Sequence, residues 1–109
     1  MFVVIYRWKI KPGMEEPFRS AWSKATRAIA FRYGALGSRL HQADDGSWLA
    51  YAQWPDRARW EAMRSGPPAD AEAATRMRDC IDASDEFPTP LFCLTVTDDY
   101  LKPVKNPNS

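Results

Sequence analysis

Hydrophobic residues alternate with period two along three stretches of the chain and recur at helical spacing along three others. From Phe2 to Ile10, Phe2, Val4, Tyr6 and Trp8 fall on one face and Val3, Ile5 and Arg7 on the other. Both faces are largely apolar. A strand with one wet side alternates more cleanly, so this strand is predicted to be central and covered on both sides. Gly34 to Pro55 reads as two strands joined by a tight turn at Asp44-Asp45-Gly46. If those three residues form the loop, Ala43 pairs with Ser47. Leu40 then lies opposite Ala50, Ser38 opposite Ala52 and Leu36 opposite Trp54. The other face carries His41 opposite Leu49, Arg39 opposite Tyr51 and Gly37 opposite Gln53. A two-residue loop would slip this register and flip one strand. The last strand is predicted over Leu91 to Thr97.

Between the first strand and the hairpin, Lys11-Pro12-Gly13 ends the strand and a helix is predicted to start near Met14. Glu15 and Glu16 suit the positive end of the helix dipole, and Pro17 is tolerated in a first turn. Phe18, Trp22, Ala25 and Ile29 form its apolar stripe, with Arg19, Lys24, Arg27 and Arg32 on the solvated side. Gly34 is a C-terminal cap. After the hairpin, Asp56 is an N-cap for a helix that turns Trp60 and Met63 inward. Ser65-Gly66-Pro67-Pro68 breaks it. A further helix from about Ala69 to Ile81 places Ala73, Met77 and Ile81 on one side. Asp82 to Pro90 reads as a loop. Residues 1–101 are expected to form one domain, and 102–109 an irregular tail or an arm laid on a neighbour.

Strand, helix, strand, strand, helices, strand is the βαββαβ order of a ferredoxin-like α+β fold: a four-stranded antiparallel sheet with helices on one face. The other face would still offer the apolar side of strand one together with Leu49 and Tyr51. An uncovered patch of that size is unusual on a monomer. The economical answer is a two-fold homodimer whose sheets face each other.

Composition adds limits. The 109 residues suffice for one core without disulfides or metals. A formal net charge of +1 supplies no field to attract nucleic acid or an anionic membrane, and neither is expected as a partner. Cys80 and Cys93 have neither zinc-site nor CxxC spacing and are read as free, buried, small apolar residues, which fits a reducing compartment. MFVVIYRWKIK lacks the features of a signal peptide, and no apolar stretch reaches the ~20 residues of a membrane span. The expected location is cytoplasmic.

VVIYRWKIKPGMEEPFRSAW followed by GSRLHQADDGSWLAYAQWP resembles the antibiotic biosynthesis monooxygenase family of dimeric α/β barrels, over about residues 2 to 97. The Lys11 to Phe18 segment, KPG-x-E-E-x-F, resembles the family's first strand-to-helix junction. The resemblance implies a homodimer with a substrate cavity between sheet and helices in each subunit. It implies cofactor-free oxygenation of polycyclic phenols, quinol oxygenation, haem degradation or no activity, since the family holds all of these. Haem-degrading members use a helical histidine as iron ligand, and no predicted helix here contains one.

His41 is the single histidine, so general-base chemistry near neutral pH would fall to it. It shares a face with Arg39 and Tyr51, which could bind a phenolate or stabilise an enolate-like intermediate. Equally, His41 could sit inert at the hairpin tip or a dimer interface, and Arg39 could pair with a carboxylate. Tyr6, Trp8, Trp22, Trp48, Trp54 and Trp60 lie on elements that should converge. Ala50 and Ala52 leave space beside them. Tyr6, Trp8, Trp22, Ser38, Trp54 and Trp60 are thus candidate walls for a small, flat aromatic ligand, or core filler. His41 has no partner at metal-ligand spacing, Gly-rich nucleotide loops are absent, and SWLAYAQW lacks an RNA-binding signature. No cofactor or metal is expected. The function these features suggest is a homodimer that binds a flat aromatic or quinone-like molecule and oxidises it without a cofactor, or a non-catalytic binding or structural dimer.

Overall fold

A computed structural model describes residues 1–82 and 90–103. The elements are β1 (Phe2–Trp8), α1 (Glu15–Tyr33), β2 (Gly37–Gln42), β3 (Trp48–Trp54), α2 (Arg57–Ser65), α3 (Ala71–Cys80) and β4 (Phe92–Thr95). The sheet has the order β2-β3-β1-β4 with every pair antiparallel, the ferredoxin-like arrangement. β1 is central, as its two apolar faces predict.

The hairpin follows the three-residue loop. Ala43 N–H donates to Ser47 C=O at 2.8 Å, and the ladder pairs Ser38 with Ala52, Arg39 with Tyr51, Leu40 with Ala50 and His41 with Leu49. Asp45 Oδ1 accepts from both the backbone N–H (2.9 Å) and the hydroxyl (2.6 Å) of Ser47, which closes the turn. Those bonds hold the Asp45 carboxyl below its ordinary pKa. Gly46 sits at φ +87°, where a side chain crowds its own backbone.

α1 runs from a Met14 N-cap with no side-chain cap bond to Gly34, whose φ of +79° lets its N–H donate to Ala30 C=O at 3.0 Å. α2 and α3 are capped by Asp56 and Asp70, whose carboxylates accept from Arg59 N–H and Ala73 N–H. Tyr33 Oη donates to Pro67 C=O at 2.6 Å and ties the end of α1 to the α2–α3 turn. Gly66 is required there, since a Cβ would fall 2.9 Å from the Ala62 backbone carbonyl as well as 2.6 Å from that hydroxyl.

Several edges differ from the sequence pattern. β1 stops at Trp8, because Ile10 leaves the ladder and bridges to Ile81 instead. α3 begins after Asp70, since that residue is the cap and not part of the helix. Leu36 precedes β2 and is exposed, though its N–H still reaches Gln53 C=O at 2.8 Å. β4 is shorter than Leu91 to Thr97 and exposed along its length. Cys93 is consequently exposed and not buried, because its edge strand has a neighbour on one side only, while Cys80 is buried on α3 as expected. Most of the Asp82 to Pro90 loop and residues 104–109 of the tail lie outside the described residues. No helix among the described residues is long and apolar enough to cross a membrane.

The helical side of the sheet carries two clusters of buried residues. One joins Trp8, Phe18, Trp48, Met77 and Ile81; the other joins Phe2, Val4, Trp54 and Trp60. Tyr6 packs against both.

Gly46→Ala is expected to destabilise the protein by about 1 kcal/mol, the cost of a left-handed residue with a Cβ. Nothing lies within 4 Å of the added carbon, so the loss is a backbone effect. Urea denaturation measures it; an unchanged midpoint would show that the turn is free to take another form.

Candidate functional site

The site follows from side-chain size along β3. Trp48, Ala50, Ala52 and Trp54 all point to the helices and are buried. Opposite them on β1 stand Trp8, Tyr6, Val4 and Phe2. At one end Phe18 of α1 packs edge-on to Trp8 and Trp48, with centroids 5.4 and 6.1 Å apart. At the other, Trp60 of α2 lies 5.4 Å from Phe2. Large rings at both ends hold the helices off the sheet, and the two alanines between them leave a void.

That void is a cavity with about 170 Å³ accessible to water. Tyr6, Trp8, Trp22, Ala25, Ile29, Ala50, Ala52, Trp54, Met63 and Met77 give it mostly apolar walls, with Thr26, Ala35, Gly37, Ser38 and Ala74 completing the lining. No charged side chain is among them. It lies on the seam between the two buried clusters, with Tyr6 at the join.

Five of the six candidate ligand-wall residues meet here: Tyr6, Trp8, Trp22, Ser38 and Trp54. The sixth, Trp60, stands behind the wall and donates its indole N–H to Tyr6 Oη at 3.0 Å. Trp54 is 2% exposed, and its Nε1 has no hydrogen-bond partner, alone in this among the buried side-chain nitrogens and oxygens of the described residues. Leaving such a donor unpaired costs about 1–3 kcal/mol. Tyr6 and Trp8 stack at 5.8 Å with their planes 8° apart, so one wall is already a flat aromatic surface.

His41, Arg39 and Tyr51 come together too, but across the sheet. They line an open groove of about 310 Å³ with Gln53 and Leu101. His41 Nδ1 lies 3.2 Å from Leu49 C=O; a carbonyl only accepts, so this nitrogen carries the proton. Tyr51 Oη donates to Gln53 Oε1 at 3.3 Å. The sheet separates these three from the aromatic cavity. Period-two alternation already put them on the opposite face from Ser38 and Ala50, and among the described residues only Gly37 and Ser38 on the edge strand border both openings.

Of the residues not singled out beforehand, Met63, Met77 and Ile29 carried an inward signal that does not distinguish core from cavity wall. Thr26 lies one turn beyond Trp22 and is visible only once α1 is placed. No group of three or more histidine, cysteine or acidic side chains suited to a metal occurs among the described residues.

A family model for antibiotic biosynthesis monooxygenase matches residues 1–75. Among solved structures, the chain is similar to SnoaB, a cofactor-independent oxygenase from Streptomyces nogalater. That match has 17% identity and a TM-score of 0.70 and covers 93% of this chain and 97% of that one. It is also similar to Rv0793 from Mycobacterium tuberculosis, with 14% identity and a TM-score of 0.66 over 92% of this chain and 98% of that one. These likenesses are of fold. No curated protein matches the chain in sequence.

Burial pushes the Tyr6 phenol above its ordinary pKa of 10.0, against the opposing pull of the Trp60 hydrogen bond. As pH rises past about 10 the unfolded phenol ionises first, so the unfolded chain binds fewer protons than the folded one and stability falls. In Tyr6→Phe, urea midpoints should therefore decline less steeply between about pH 9.5 and 11. Equal slopes in the two proteins would show that Tyr6 is not desolvated.

Proposed function

Since the chain belongs to the antibiotic biosynthesis monooxygenase family, we propose that it is a homodimer that binds a small, flat aromatic or quinone-like molecule in the cavity of each subunit and oxidises it with dioxygen without metal or flavin. One observation carries the ligand class: an apolar, aromatic-walled cavity in which the rings of Tyr6 and Trp8 stack as a flat surface. Stacked rings favour a flat partner. The hydroxyls of Ser38 and Thr26 in the lining favour a ligand with an oxygen to meet them. The similarity in fold to a cofactor-independent oxygenase supports the reaction class.

Such chemistry asks little of the protein. Loss of a proton from an electron-rich phenol, or from the C–H of its keto form, leaves a carbanion-like species. Its electrons reduce dioxygen, a C–O bond forms, and the peroxide so formed loses water to leave a carbonyl. For anthrone, CH₂ becomes C=O with one dioxygen consumed and one water released. The hydroxyls of Tyr6, Ser38 and Thr26 are the lining groups that would stabilise negative charge on the substrate oxygen.

The second sheet face supports the dimer. Phe92 and Leu94 pair with Ile5 and Val3 across the ladder and are 56% and 43% exposed, beside the half-buried Leu49 and Tyr51. We read this as the surface on which a second copy sits, with Arg39, His41 and Tyr51 as polar groups of that interface.

The second reading, a non-catalytic binding or structural dimer, is favoured by a different observation. Among the described residues, no carboxylate, histidine or lysine lines the cavity to take the substrate's proton. Oxygen uptake with anthrone or a hydroquinone separates the two. Uptake above the uncatalysed rate supports the oxygenase; binding without uptake supports the second reading. Ala50→Leu fills the void from the sheet side and is expected to lower uptake and ligand affinity about tenfold or more while the fold is kept. Full activity in that variant would place the site elsewhere. Native mass spectrometry should show a dimer, and Phe92→Asp should shift it toward monomer.

A further inference from the structure

We propose that Tyr6, held in place by Trp60, is the specificity-determining donor of the cavity: it selects flat ligands carrying a carbonyl or similar acceptor oxygen over bare arenes. The inference rests on the reading of the cavity as an aromatic ligand site and adds the polarity of what it takes.

Hydrogen-bond bookkeeping carries it. An indole N–H can only donate, so at 3.0 Å from Trp60 Nε1 the Tyr6 oxygen must be the acceptor. The phenol proton is then left over. Among the described residues no acceptor receives it, although Tyr6 is partly buried and lines the cavity. Trp60 is itself 2% exposed and clamped by the guanidiniums of Arg57 and Arg64, 5.9 and 4.9 Å from its ring centroid. It has little freedom to release the phenol. Tyr6 is further fixed by its stack on Trp8.

The cavity lining thus includes one donor in need of an acceptor, the Tyr6 O–H, since the unpartnered Trp54 N–H is shut off even from water. The hydroxyls of Ser38 and Thr26 both donate and accept, so they do not discriminate. A bare arene that displaced water would leave the Tyr6 O–H unpaired, whereas a carbonyl would satisfy it. A phenol is protonated at neutral pH, so Tyr6 is a donor there, and burial only raises its pKa further.

The matched pair fluorene and 9-fluorenone tests this, since both are flat tricyclics that differ by one carbonyl. Quenching of tryptophan fluorescence gives both affinities. In the natural protein, fluorenone should bind about fivefold to tenfold more tightly than fluorene, as expected for one buried hydrogen bond. In Tyr6→Phe, fluorene should be unchanged and the preference should largely vanish. The infrared band of ¹³C-labelled fluorenone carbonyl should move to lower wavenumber on binding and return upward in Tyr6→Phe. In Trp60→Phe the band should broaden, because the phenol is no longer aimed. If fluorene binds and the preference survives in Tyr6→Phe, the role of Tyr6 is overturned. An unbroadened band in Trp60→Phe removes Trp60 from it. If neither compound binds, the cavity reading itself fails. Thermal unfolding of each variant checks that the fold is kept.

Discussion

The rest of the structure depends on a mismatch of volumes in the layer between sheet and helices. β3 presents large, small, small, large: Trp48, Ala50, Ala52, Trp54. Interiors normally close such gaps, because packing is dense and a void forfeits dispersion contacts. Here they stay open, since the layer's thickness is set at both ends by rings. Phe18 stands on Trp8 and Trp48, and Trp60 stands on Phe2. Collapsing α1 onto the alanines would require those contacts to break. The cavity is the cost of that arrangement, and it lies beside Tyr6 and Trp54.

The same layer explains why the polar groups divide as they do. A sheet has two faces, and a side chain chooses one by the parity of its position. Tyr6, Ser38 and Trp54 fall on the helical side; Arg39, His41 and Tyr51 fall on the other. Proximity in sequence, as between Ser38 and Arg39, is therefore no guide to a shared site. The cavity lining offers hydroxyl groups, whereas the open face holds the histidine and the arginine. The exposed β4 and the groove under Leu101 belong to that second face as well.

The hairpin links these two domains of chemistry. Its turn is closed by Asp45 on Ser47 and by Gly46, and its register fixes which residues of β2 meet the cavity edge. A slip of one residue would bring Arg39 and His41 under the helices and expel Ser38 and Leu40. The turn thus acts at a distance on the site, through parity alone.

The sequence by itself determined the order of the elements, the hairpin register, the capping residues at Gly34 and Asp56, and the set of aromatic side chains on the helical face. These follow from local rules: alternation, helical spacing, turn chemistry and caps, each acting over a few residues. Its resemblance to the family rested on the junction from Lys11 to Phe18 and on the hairpin. Only the tertiary structure decided that Trp60 lies behind Tyr6 and not in the wall, that Trp54 keeps a free N–H, that Cys93 is exposed, and that Thr26 joins the lining. Each of these depends on how far a helix stands from the sheet or on which strand has a neighbour. Those are sums over contacts between residues far apart in the chain, and no local pattern contains them.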